Sequence, residues 1–189
     1  MASGLGHYRR DSSFVPLMRT LLPAIAALSY LWPATAHAGE LFGGVYVHDI
    51  DSPLTKSGIE KGVDLQLGYR WDRIGRTPLQ PYLFGAVNSA GETHYAAVGV
   101  SAKFGKRLFI RPGVGIALHS GDNGDFDDPF DDDVEFGTSI LFAPELGLGY
   151  QVSERVSVEA SIVHLSHAQL FGEQNPGIDN VGVRLSWKL

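Results

Sequence analysis

The sequence has no cysteine, few charged residues and no long apolar run. The absence of cysteine excludes disulfides, thiolate zinc sites and cysteine nucleophiles. Acidic residues outnumber basic ones, 21 to 15, and this balance argues against a protein that binds nucleic acid. No apolar stretch reaches the roughly 20 residues of a membrane-spanning helix. A helical membrane protein is therefore excluded, whereas a membrane barrel built from alternating strands is not.

Residues 1–38 have the pattern of a secretory signal peptide. Three arginines precede an apolar stretch at residues 21–32, and the small-residue site Ala-His-Ala follows at 36–38. Because this stretch is too short to span a bilayer, we expect cleavage after Ala38. The mature domain then covers residues 39–189.

From residue 39 onward, apolar and polar residues alternate with a period of two. In the clearest case, Val63, Leu65, Leu67 and Tyr69 alternate with polar residues or glycine. This period is that of a β-strand with two different faces. Eight such segments follow one another, with approximate bounds 41–49, 63–71, 81–88, 95–104, 108–119, 140–150, 156–162 and 181–189.

These segments predict an all-β fold, an eight-stranded antiparallel transmembrane β-barrel of the outer membrane. Strands of about 10 residues suit a tilted bilayer crossing. Opposite the apolar face, glycines stand beside Arg70, Arg111, Glu145 and Arg184, which we expect to form salt bridges inside a small, filled barrel. Tight turns alternate with long loops, as is typical of outer-membrane barrels.

Four aromatic residues favour the membrane barrel over a soluble one. Trp71, Phe104, Tyr150 and Trp187 fall on the apolar face, at the short-turn ends of their strands. Such a ring is typical of the membrane interface. A lipocalin-like barrel would turn its apolar face inward around a ligand and predicts no such ring. We therefore expect the protein in the bacterial outer membrane.

The apolar face of the seventh strand ends in two polar residues, His164 and Ser166, at the long-loop end. Residues two apart on a strand point to the same side, about 6.5–7 Å apart, so the imidazole can activate the hydroxyl as a nucleophile. A carboxylate would orient the imidazole. Asp179 faces His164 if the last hairpin is symmetric, and Glu173 is the alternative acid. So short a pattern also arises where histidine and serine merely meet water.

Two segments, 164–168 (HLSHA) and 175–179 (NPGID), together with the final strand resemble the lipid A 3-O-deacylase (PagL) family. The resemblance covers the whole mature region and is specific in its C-terminal part. It implies an outer-membrane barrel that hydrolyses the ester at the 3-position of lipid A, with its active site on the lipid-facing, outer-leaflet side. On this resemblance Ser166 is the nucleophile, His164 the base and Asp179 the acid. No metal or other cofactor is expected.

Two positions depart from the family pattern. Asp179 stands where the family has glutamate, so the acid is one methylene shorter. His167 stands where the family has an asparagine that helps to bind the oxyanion, and an imidazole can donate a hydrogen bond to that oxygen instead. Backbone N–H groups near Ala168 and Gly172 are further candidates for the oxyanion hole.

Two other features are weaker candidates for sites. Eight carboxylates between residues 122 and 135 suit Ca²⁺ but lack the EF-hand pattern, so a solvated loop is the main interpretation. His48, His94 and His119 lie at loop ends, where scattered histidines are more often surface residues than metal ligands.

Two classes of function remain open from the sequence. The first is an outer-membrane esterase acting on lipid A or a related acylated glycolipid. The second is a non-catalytic small barrel with a structural or adhesive role. The expected partners are that substrate and outer-membrane lipid, with no nucleic acid, and a homodimer is left open. The esterase requires Ser166, whereas the non-catalytic barrel tolerates its replacement.

Overall fold

The computed structural model describes residues 39–52, 58–124, 134–168 and 177–189. The predicted signal peptide (1–38), the alternative acid Glu173 and most of the acidic loop lie outside these residues. No helix among the described residues is long and apolar enough to cross a membrane. The strands are β1 (Glu40–Val47), β2 (Val63–Arg70), β3 (Leu79–Asn88), β4 (Tyr95–Ala102), β5 (Phe104–Gly105), β6 (Leu108–His119), β7 (Ile140–Phe142), β8 (Glu145–Gln151), β9 (Val156–Leu165) and β10 (Ile178–Lys188).

The strands form one closed antiparallel barrel. Neighbouring strands follow the order β4-β3-β2-β1-β10-β9-β8-β6, and β4 also pairs with β6, which closes the ring. The first and last strands, β1 and β10, lie side by side. The predicted eight-stranded antiparallel barrel is confirmed.

Two of the eight predicted strands are interrupted. The segment predicted at 140–150 is divided into β7 and β8 at Ala143 and Pro144, yet both parts keep one register against β6. Pro144, which has no N–H to give to the ladder, lies at this break. The segment predicted at 95–104 is likewise divided at Lys103, and β4 and β5 keep one register against β6.

The outward face of the barrel is apolar. Its aliphatic and aromatic side chains are strongly exposed, with Leu108, Leu67 and Leu148 more than 60% accessible. An apolar surface that runs around the whole barrel suits lipid rather than water. Phe104, Tyr150 and Trp187 are exposed by 49%, 36% and 52%, so these members of the predicted aromatic ring face outward.

The interior is filled by charged side chains, aromatic rings and glycines. The predicted interior salt bridges are confirmed, and they also include Glu40 and Glu159. Arg184 contacts Glu145 at 2.8 Å, Arg111 contacts Glu159 at 3.2 Å and Glu40 at 3.1 Å, and Arg70 pairs with Glu40. A Cβ at Gly68 would lie 2.5 Å from the ring of Phe42, so glycine there leaves room for the ring.

Replacement of Arg184 by alanine is expected to destabilise the barrel. Arg184 and Glu145 are almost fully buried, and the change leaves the carboxylate without its closest cation. Breaking a buried ion pair from one side costs about 3–5 kcal/mol. Urea unfolding of the protein in detergent micelles measures this change. Arg107→Ala removes an exposed cation that contacts Tyr150 and is the matched control, so equal unfolding of both variants would contradict the prediction.

Candidate active site

The hairpin of β9 and β10 brings together the residues singled out in the sequence. Its register pairs His164 with Asp179, and the predicted symmetric hairpin is thereby confirmed. Ser166 follows β9 and forms an isolated bridge with Phe142. His164 near the end of β9, Ser166 just after it and Asp179 near the start of β10 therefore meet at the loop end of the barrel.

The three side chains form a hydrogen-bonded chain. His164 Nδ1 lies 2.8 Å from Asp179 Oδ1, and His164 Nε2 lies 2.9 Å from Ser166 Oγ. An ionised carboxylate can only accept hydrogen bonds, so Nδ1 donates to it. In the neutral imidazole, Nε2 is then the acceptor for the Ser166 hydroxyl. This arrangement allows the imidazole to take up the hydroxyl proton.

The three hydrogen-bonded side chains differ in burial. The Asp179 side chain is fully buried, whereas the His164 side chain is 19% exposed. Ser166 is 5% exposed. The carboxylate is thus shielded from water, while the imidazole reaches the outer surface of the barrel.

The backbone around Ser166 is held by the broken strand β7–β8. The N–H of Ser166 donates to the carbonyl of Phe142 at 3.2 Å, and the N–H of Phe142 donates to the carbonyl of Ser166 at 2.8 Å. The N–H of His164 donates to the carbonyl of Pro144 at 3.0 Å. These bonds fix the spacing between the imidazole and the hydroxyl.

One residue of the site was missed by sequence reasoning. Ser52 Oγ donates a hydrogen bond to Asp179 Oδ2, the carboxylate oxygen that His164 does not use. A single serine in a loop 127 positions away along the chain carries no sequence signal of this contact. Only closure of the barrel between β1 and β10 brings the two residues together.

The two predicted oxyanion residues follow Ser166 directly. His167 is 1% exposed, and Ala168 has a φ of +52°, which is uncommon for a residue other than glycine. Strained backbone of this kind concentrates at functional sites. The role of both residues at an oxyanion stays a prediction.

A second polar cluster lies at the same end of the barrel. His48 Nε2 lies 2.7 Å from Glu60 Oε2, and His48 Nδ1 lies 2.9 Å from Asp64 Oδ1. Glu60 also accepts hydrogen bonds from the N–H and hydroxyl of Thr93. Burial alone would lower the pKa of His48, but the hydrogen bonds and charges of Asp64 and Glu60 outweigh it and raise the pKa to about 9.

The expectation that the loop-end histidines are surface residues is wrong for two of them. His48 and His119 are only 3% and 2% exposed. His48 contacts carboxylates, and His119 Nε2 lies 2.7 Å from the carbonyl of Thr138. These partners offset the cost of burying the imidazoles. Among the described residues, no group of three or more His, Cys, Asp or Glu side chains is arranged to hold a metal ion.

The free energy of unfolding of the barrel is expected to fall at high pH because His48 loses its proton. The folded-state pKa of His48 is raised from 6.5 to about 9. The stabilisation that protonated His48 provides is therefore fully present below pH 6.5 and is lost as the pH rises through about 9. Urea unfolding in micelles on either side of this window measures the loss. The His48→Gln variant should show a smaller loss than the wild type, with His94→Gln as control. An identical pH dependence in His48→Gln would contradict the prediction.

Comparison with solved structures places the fold among the outer-membrane β-barrels. The chain is similar to the crystal structure of the outer membrane enzyme PagL, with a TM-score of 0.55 and 22% identity over 79% of this chain and 99% of that chain. It is also similar to the crystal structure of Neisserial surface protein A, with a TM-score of 0.52 and 16% identity over 80% of this chain and 97% of that chain. No curated protein sequence matches.

The family follows from the sequence match. The family model for lipid A 3-O-deacylase (PagL) matches residues 57–188. The chain therefore belongs to the lipid A 3-O-deacylase (PagL) family, whose members act on lipid A in the outer membrane. The resemblance noted in the sequence is confirmed, and the protein is an outer-membrane protein.

Proposed function

We propose that this protein is a serine esterase that hydrolyses the acyl ester at the 3-position of lipid A, or an ester of a similar acylated glycolipid. The observation that carries the proposal is the hydrogen-bonded chain from Ser166 through His164 to Asp179, at distances of 2.9 and 2.8 Å. Membership of the lipid A 3-O-deacylase family supports the choice of substrate.

The proposed reaction has two halves. His164 Nε2 takes the proton of Ser166 as Oγ attacks the acyl carbonyl, and the tetrahedral intermediate collapses as the same proton passes to the sugar oxygen. The acyl chain is then bonded to Ser166. A water molecule, deprotonated by His164, releases the fatty acid and restores the hydroxyl. Asp179 holds Nδ1–H throughout and stabilises the imidazolium.

The oxyanion and the location of the site complete the proposal. We assign the imidazole of His167 and the backbone N–H of Ala168 as the donors to the oxyanion. The site lies at the loop end of the barrel, which we assign to the outer leaflet because long loops of such barrels face outward from the cell. Residues 1–38 are proposed to be removed as a signal peptide. A non-catalytic barrel remains the alternative.

Mass spectrometry of lipid A tests the proposal. The full-length gene is expressed in a lipid A-containing host, and the refolded mature protein is incubated with purified lipid A in mixed micelles. The expected result is loss of one acyl chain in both settings, with tandem spectra locating the vacant ester at the 3-position. Loss from another position would correct the site of cleavage. Unchanged lipid A with a folded barrel would favour the non-catalytic alternative.

A further inference from the structure

The segment that follows β1 is fastened to the strand that carries Asp179. The N–H of Ile50 donates to the backbone carbonyl of Asp179 at 2.8 Å. The N–H of Asp49 donates to Oδ1 of Asn180, the next residue of β10, at 3.0 Å. Residues 49–52 therefore lie in a fixed position beside the acid.

The same segment is braced from within its own loop. Asp49 Oδ2 accepts hydrogen bonds from the N–H groups of Ile59 at 2.9 Å and Glu60 at 3.0 Å. These bonds tie the departing end of the loop to its returning end. Asp49 has a φ of +46°, which is uncommon outside glycine and turns the chain sharply after β1.

At the end of this braced segment, Ser52 Oγ donates to Asp179 Oδ2, while Asp179 Oδ1 faces His164. Both carboxylate oxygens are thus engaged by different partners. We propose that Ser52 is a positioning residue that fixes the rotation of the Asp179 carboxylate and thereby the orientation of the His164 imidazole. The inference rests on the proposed function and adds a fourth residue to its machinery.

The physical reason lies in the terminal torsion of aspartate. Rotation of a carboxylate about χ2 has a broad, roughly two-fold profile and no strong intrinsic preference. The hydrogen bond from Ser52 adds a donor on the oxygen that His164 does not use, and donors on both oxygens restrict the rotation of the carboxylate plane. Hydrogen bonds to an ionised oxygen are about twice as strong as neutral ones, so loss of the Ser52 hydroxyl is expected to have a measurable effect.

Three variants test the effect on turnover. Ser52→Ala is expected to lower kcat for lipid A deacylation about 10-fold with little change in KM, since a hydrogen bond to a charged group is lost away from the substrate. Ser52→Thr keeps the hydroxyl and should retain most of the activity. Ser89→Ala is the matched control, because the Ser89 hydroxyl accepts a hydrogen bond from the backbone N–H of Val63 at the same end of the barrel.

A double-mutant cycle separates positioning from general structural support. In an Asp179→Ala background there is no carboxylate left to position, so Ser52→Ala should change the residual rate less than twofold. A loss as large as in the wild type would show that Ser52 acts on the fold rather than on the acid, and would overturn the inference.

A second readout needs no substrate. In ¹⁵N-histidine-labelled protein in micelles, the neutral His164 should be the Nδ1–H tautomer in the wild type and a mixture of tautomers in Ser52→Ala. If Ser52→Ala shifts the tautomer but the wild type deacylates no lipid A, the positioning role is retained and the proposed function is refuted. If the wild type deacylates lipid A, and Ser52→Ala has the same kcat and the same histidine spectra as the wild type, the positioning role is overturned while the proposed function stands. Unchanged spectra in an inactive protein would overturn both.

Discussion

Replacement of Ser166 by alanine is expected to lower the rate of lipid A deacylation by at least about 10⁴-fold, to near the detection limit. Removal of the nucleophile of a serine hydrolase eliminates the covalent route and leaves only the residual rate due to binding and the oxyanion hole. Mass spectrometry of lipid A, after incubation with excess enzyme, measures the remaining rate.

The fold of the Ser166→Ala variant should be unaffected. The backbone bonds between residue 166 and Phe142 do not involve the hydroxyl, and the change removes a single oxygen. Ser157→Ala is the matched control, since Ser157 is a buried serine near the start of β9, seven residues before His164. The control should deacylate like the wild type. Activity of Ser166→Ala within tenfold of the wild type would exclude Ser166 as the nucleophile.

Replacement of Asp179 by asparagine is expected to lower the same rate by about 10⁴-fold, the size of effect seen when a serine hydrolase loses its orienting carboxylate to an amide. The amide can donate a hydrogen bond to Nδ1 and so favours the tautomer with its proton on Nε2. That tautomer cannot accept the proton of Ser166. The Asp179 side chain is fully buried and offers no surface to a substrate, so KM should change little.

Comparison with Glu173→Gln distinguishes the two candidate acids. Asp179 lies 2.8 Å from the imidazole of His164, so Glu173→Gln should deacylate within about twofold of the wild type. A large loss in Glu173→Gln together with a small loss in Asp179→Asn would reverse the assignment. Circular dichroism of both variants, refolded in micelles, checks that the barrel is intact.

The fold was predictable because a barrel strand has a simple period. Alternation places apolar residues outside and polar residues inside, and the sequence displays it from residue 39 onward, most clearly at residues 63–71. The pairing of His164 with Asp179 was predictable for a related reason, since one hairpin register fixes every cross-strand pair within it. The break at Pro144 was not predicted, and a proline alone does not indicate one, since Pro112 lies inside the unbroken strand β6.

Contacts between distant segments could not be predicted. The partners of Arg111 depend on which strands lie opposite each other across the lumen, and this follows from barrel closure rather than from local pattern. The burial of His48 was missed because its carboxylate partners come from another strand and a loop. The bond between Ser52 and Asp179 joins residues 127 positions apart, and neither residue alone indicates it.

The adjacency of β1 and β10 also has a consequence for biogenesis. These are the first and last of the strands that the structure describes, and their pairing closes the cylinder. Contacts between residues so far apart in sequence form late in folding, because chain entropy must be lost before they can be made. The hairpin that carries His164 and Asp179 can assemble locally, but Ser52 reaches Asp179 only once β1 has paired with β10. A chain that has not yet closed its barrel would lack the bond from Ser52 to Asp179. The complete site would therefore form only as the barrel inserts into the membrane that contains the substrate.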